Sequence, residues 1–127
     1  MTCGCPLLLA EGNFRVRFWI SAAFAAPAFA DARSSAKEQV DFGIKVAQNG
    51  LWREAQYRWE RAVELDPTYA EAWNNLAIAY EHSGKFDEAR KAYETAIKLD
   101  PKNMLIQQNY DLFKEINDRT QKRRSAR

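Results

Sequence analysis

Residues 66–101 read DPTYAEAWNNLAIAYEHSGKFDEARKAYETAIKLDP, and this stretch opens and closes on the same Asp-Pro pair, 34 residues apart. Holding that offset and sliding the chain along itself aligns Gly50 with Gly84, Trp52 with Phe86, Glu54 with Glu88, Ala55 with Ala89 and Trp59 with Tyr93. Glu60/Glu94, Ala62/Ala96 and Leu65/Leu99 follow without a gap, and upstream so do Ala36/Ala70, Phe42/Leu76, Gly43/Ala77 and Ile44/Ile78. Ten of the 34 pairs are identical, well above the two or three that chance supplies, so the chain contains an internal repeat.

The repeat has helical periodicity. Trp73, Leu76 and Tyr80 stand at i, i+3 and i+7 and share one helix face. Gly43 and Ala77 put a small residue beside that face, where a second helix can approach closely. Ala55, Ala62, Ala89 and Ala96 do the same from the second helix, and Trp59 and Tyr93 fill the space between. Asn49-Gly50 and Ser83-Gly84 supply helix ends. Asp66-Pro67 and Asp100-Pro101 offer a side-chain cap followed by a proline suited to a first helical turn. Ser35-Ala36-Lys37-Glu38 and Thr68-Tyr69-Ala70-Glu71 are further capping-box candidates. These signals predict helices near 36–48, 52–65, 69–82, 86–98 and 102–118.

The second unit, Trp73-x-x-Leu76-Ala77-x-x-Tyr80, then Ala89-x-x-x-Tyr93-x-x-Ala96, then Pro101, resembles the tetratricopeptide repeat throughout. The first unit, Phe42-Gly43, then Ala55-x-x-x-Trp59-x-x-Ala62, then Pro67, departs at Gln39 and Val46, where large aromatics are usual. The resemblance implies an all-α fold: a right-handed solenoid of two hairpins, residues 36–69 and 70–103, with 104–118 as a capping helix and 119–127 as a basic tail. Asp111 and Lys114 stand in the fifth helix where the repeat needs a small residue and an aromatic, so a third full repeat is excluded. The apolar stripe Met104, Ile106, Tyr110, Phe113 and Ile116 suits a helix that covers the open end.

In that family the first helix of each hairpin lines a concave groove that takes a peptide or partner helix. Alignment then implies groove positions at Lys37, Val40, Asp41, Ile44 and Gln48 in the first unit, and Glu71, Asn74, Asn75, Ile78 and Glu81 in the second. Some members grip a partner's terminal carboxylate with a Lys and an Asn from one hairpin and an Asn from the next. Asn75 matches the last of these, but Val40 and Ile44 occupy the other two positions and cannot donate, so that role is not implied.

Residues 1–30 read differently. Arg15 and Arg17 precede an uncharged, mostly apolar run, Phe18 to Ala30, that ends Ala28-Phe29-Ala30, the pattern of a secretory signal peptide. The run reaches only about 20 Å as a helix, too short to span a bilayer. Glu11 and the other residues ahead of Arg15 make an untidy basic region, which a true start near Val16 explains. Cleavage after Ala30 is expected, leaving residues 31–35 as a short linker and an exported, periplasmic or secreted chain; a leader that is not a signal leaves it cytoplasmic.

The chain of 127 residues is 46% hydrophobic and 28% charged, with a net charge of +2. Residues 31–118 carry a net −4, and the last nine residues add five bases and no acid. Cys3 and Cys5, with His82 far along the chain, make neither a disulfide framework nor a four-ligand zinc site. No phosphate loop, nucleophile elbow or metal-ligand pair is present, and one histidine without a neighbouring nucleophile gives little to catalyse with. His82 reads as an exposed complement to a helix C-terminus. No enzyme activity, cofactor or metal is expected, and nucleic acid is disfavoured because the aromatics have core duties. The expected function is an exported adaptor that binds another protein. The alternative is a structural piece of a cell-envelope assembly that self-associates, with the groove empty.

Overall fold

In a computed structural model of the chain, residues 25–127 are described. The expected leader up to residue 24, with Cys3, Cys5 and the Arg15–Arg17 flank, lies outside them. Among the described residues there are five helices and no strand: α1 (Ala25–Gln48), α2 (Trp52–Leu65), α3 (Ala70–His82), α4 (Phe86–Leu99) and α5 (Met104–Ser125). Residues 33–127 form one compact unit that holds the whole repeat array.

Two kinds of turn alternate. After α1 and α3 the chain reverses on glycines with positive φ, Gly50 at 78° and Gly84 at 73°. The Gly50 amide donates to Ala47 and the Leu51 amide to Val46; Gly84 and Lys85 repeat this with Glu81 and Tyr80. This paired bonding closes a helix on a left-handed residue, where a side chain is disfavoured. After α2 and α4 the aspartate ends the preceding helix, with the Asp66 amide donating to Ala62 and the Asp100 amide to Ala96.

The expected caps are corrected here. Asp66 and Asp100 stop a helix instead of starting one, and Pro67 and Pro101 sit exposed in the turns. Thr68 donates its amide and hydroxyl to Asp66, so no capping box forms with Glu71, and Ser35 lies inside α1. The side chain that does cap is Asn103, whose Oδ1 accepts from the amides of Leu105 and Ile106.

Two helices outrun their expected ends. The described part of α1 starts at Ala25, ahead of the expected 36, and residues 25–35 are rich in alanine, a strong helix former. α5 runs to Ser125, so the expected basic tail is largely helical, and Lys122, Arg123 and Arg124 complement the negative end of its dipole.

The core follows the repeat. Ala36 and Val40 of α1, Ala55, Trp59 and Ala62 of α2, and Ala72, Leu76 and Ala79 of α3 form one cluster. Ala77 turns the other way, with Ala89, Ala92 and Tyr93 of α4 and Phe113 of α5, and Ala70, Ala96 and Ile106 close a third cluster. Gly43 has a strict reason to be small: a Cβ there would stand 2.4 Å from Nε1 of Trp59. Phe42, aligned with buried Leu76, is instead 44% exposed and lies beneath the Arg58 guanidinium, 4.5 Å from the ring centre. On α5 the buried residues are Ile106, Phe113 and Asn117, whereas Met104 and Ile116 of the expected stripe face solvent.

Candidate functional site

The first helices of the repeats, α1 and α3, stand side by side, and α5 occupies the equivalent place after them. The contact that shows this is a hydrogen bond from Asn109 Nδ2 of α5 to Asn74 Oδ1 of α3, 3.1 Å long. The ten expected groove residues divide by depth. Lys37, Asp41, Gln48 and Glu71 are exposed, and Ile44, Asn75, Ile78 and Glu81 are half-buried. Val40 and Asn74 are buried, and their assignment to an open groove is corrected. Val40 packs in the first core cluster, and its carbonyl accepts from Trp59 Nε1 at 3.3 Å. Asn74 is 4% exposed, and its amide oxygen is taken by α5.

The repeat spacing explains why Asn75 lacks a partner. Asn74 and Asn109 correspond, one unit back, to Val40 and Asn75. An aliphatic side chain stands where an amide oxygen accepts in the next unit, and Asn75 Nδ2 is enclosed without a hydrogen-bond partner. An orphaned amide of this kind costs about 1–3 kcal/mol.

Charged groups on this face are largely engaged. Lys37 bonds Asp41 at 3.0 Å, which raises its pKa. Tyr69 donates to Glu71 at 2.9 Å; burial first, then that carboxylate, pushes the Tyr69 pKa up to about 12. Glu81 accepts from the hydroxyl of buried Tyr93, whose pKa is raised by burial and by Glu81, so Glu81 is tied to the core. At the end of α3 His82 stacks on Trp52, with ring centres 3.6 Å apart and planes at 15°.

Residues on α5 extend the face beyond the ten positions expected from the sequence. Advancing the groove positions Glu71 and Ile78 by the repeat of 34 gives Leu105 and Leu112, and advancing Gln48 by two repeats gives Ile116. These are 62%, 57% and 52% exposed. The same offset that revealed the repeat finds them once α5 is read as a third first-helix. One line of aliphatic side chains, Ile44, Ile78 and Leu112, therefore recurs at equivalent positions on α1, α3 and α5.

The comparisons with known proteins agree with this architecture. A family profile described as tetratricopeptide repeat matches residues 70–103, and a second, described as TPR repeat, matches residues 47–84. Among solved structures, the Arabidopsis OM64 TPR domain superimposes with a TM-score of 0.64 at 19% identity, over 69% of this chain and 73% of that one. The second TPR domain of human RPAP3, determined by NMR in complex with the HSP70 peptide SGPTIEEVD, gives a TM-score of 0.59 at 24% identity, over 63% of this chain and 67% of that one. A search of curated proteins returned no match. With two matching profiles, a repeat of 34 residues and the helical-hairpin fold in agreement, residues 47–103 are tetratricopeptide repeats.

Proposed function

We propose that the protein is an exported adaptor that holds a segment of another protein along the face shared by α1, α3 and α5. The observation that carries this reading is the row Ile44, Ile78 and Leu112, apolar at each equivalent position and flanked on α1 and α3 by charged and amide groups. Ile44 and Ile78 pack their inner sides against the first and second core clusters, and folding gains little from the part of each that stays exposed. The family is an interaction fold, and the RPAP3 domain was solved holding a peptide. Asn75, half-buried one turn before Ile78 on α3, carries an enclosed Nδ2 without a partner and is the candidate amide to bond a peptide backbone.

Recovery of a partner by cross-linking from the native envelope extract, followed by calorimetry, tests this. Ile78→Ser removes the middle apolar contact, worth about 1.5–3 kcal/mol, and is expected to weaken binding roughly 10- to 150-fold with helicity retained. Unchanged affinity in a folded Ile78→Ser protein overturns the reading. Asn74→Ala serves as a structural control, since it breaks the bond to Asn109 and is expected to lower stability.

A further inference from the structure

Among the described residues, two sides of α5 have no neighbouring helix, and they differ in chemistry. Gln107, Asp111 and Lys114 occupy the positions of Trp73, Ala77 and Tyr80, where a partner helix packs in a complete repeat. That side is polar. Gln107 Nε2 donates to the Pro101 carbonyl at 2.6 Å, as Trp73 Nε1 does to Pro67 at 2.8 Å, and Lys114 pairs with Asp111 at 2.8 Å. Of the exposed apolar residues of α5, Met104 stands at the position of Ala70, whereas Leu105, Leu112 and Ile116 lie on the groove side.

The strip changes character along the helix. Ile116, Arg119, Thr120 and Arg123 line one depression, so the apolar row runs directly into guanidinium groups. No acid follows Asp118, and among the described residues only Arg119 of the last five bases has a carboxylate partner, Glu115. We infer that this strip of α5 docks an amphipathic helical segment of a partner protein, with apolar side chains on Leu105, Leu112 and Ile116 and a cluster of Asp or Glu meeting Arg123 and its basic neighbours.

This rests on the peptide-binding reading above and names the ligand class. Charge complementarity selects the occupant: a helix bearing acids at one end neutralises the basic turn while its apolar face covers the leucines. A second copy meeting strip to strip brings only Glu115 as a carboxylate, and Glu115 is already held by Arg119. Nucleic acid finds no aromatic on the strip to stack a base. An anionic bilayer meets Glu115, which stands between Leu112 and Ile116 in the helix.

The test selects peptides against the full-length protein from a displayed random library of about 18 residues, the length that spans the ~27 Å from Leu105 to Arg123 as a helix. The selected peptides are expected to carry apolar residues at helical spacing with Asp or Glu clustered at one end. Affinity for the best of them should fall at least about tenfold in Leu112→Gln/Ile116→Gln. It should fall similarly in Arg123→Glu/Arg124→Glu at low salt, with the difference from wild type shrinking at high salt. All these side chains are exposed, and circular dichroism should show both variants folded. Peptides that bind both variants normally but are lost in Ile78→Ser overturn this inference and leave the groove reading standing. Failure to select any peptide overturns both. Phosphatidylserine vesicles retained by wild type and released by the variants, with no peptide selected, assign the strip to a membrane; dimers that both variants dissociate assign it to a second copy.

Discussion

Trp59 decides how close α1 and α2 can come. Its ring is buried, its Nε1 is bound to the Val40 carbonyl, and Gly43 lies against its edge, with a virtual Cβ 2.4 Å from Nε1 and 2.8 Å from Cδ1. Gly43→Ala should gain about 0.5–1 kcal/mol of helix preference and lose about 1–3 kcal/mol by forcing the ring off its carbonyl. The expected outcome is a net loss of roughly 1–2 kcal/mol in urea unfolding. In a Trp59→Phe background the clash is relieved and the same change should be neutral or stabilising. A loss of equal size in both backgrounds means that the ring is not the cause. The need for a small residue at Gly43 is legible from its alignment with Ala77, but what rests on it is not. The same limit explains Val40 and Asn74. Repeat alignment assigns a residue to a helix face and says nothing of depth, and both sit at the edge of the face, where adjacent first-helices meet.

At the scale of elements, α5 completes the second repeat. Ile106 and Phe113 are buried in the two clusters that contain Ala70, Ala77, Ala89, Ala92, Tyr93 and Ala96. Burying two side chains of that size contributes about 3–6 kcal/mol, comparable to the whole stability of a short array. A chain ending at Asn103 should therefore aggregate or lose its cooperative melt, whereas one ending at Thr120, which keeps every buried residue of α5, should melt within a few degrees of the full chain. Equal melting of the chain ending at Asn103 removes α5 from its capping role. Helix identity is easy to read from the sequence because period, small residues and glycine turns all agree. Helix ends are harder. The alanines ahead of Ser35 read as part of a leader, and the run of bases after Asp118 reads as a tail, yet each has the composition to continue a helix. The exposed leucines of α5 are hard to find in the sequence because a capping helix is expected to spend its apolar residues on the core.

At the scale of the whole molecule, cleavage after Ala30 is compatible with the array. Ala28, Phe29 and Ala30 are all exposed, and the first core residue, Ala36, lies beyond them. Arg33 remains on the mature side. It bonds Asp66 and Thr68 and lies 4.6 Å from the Tyr69 ring centre, tying this part of α1 to the turn between α2 and α3. Burial alone would raise the Asp66 pKa, but Thr68 and Arg33 outweigh it and hold the carboxyl below its ordinary value. If the leader directs export, mass spectrometry of protein from its native host should find Asp31 at the N-terminus. A chain beginning at Asp31 keeps the Arg33 contacts and should match the full chain in melting temperature to within a few degrees. Arg33→Ala in that shortened chain should lower its stability by about 1 kcal/mol, through a part-buried ion pair and a cation–π contact. Full-length protein retaining Phe18 to Ala30 in the soluble cytoplasm sinks the export proposal. It leaves the docking face untouched, because Ile44, Ile78 and Leu112 all lie on the mature side of the cut.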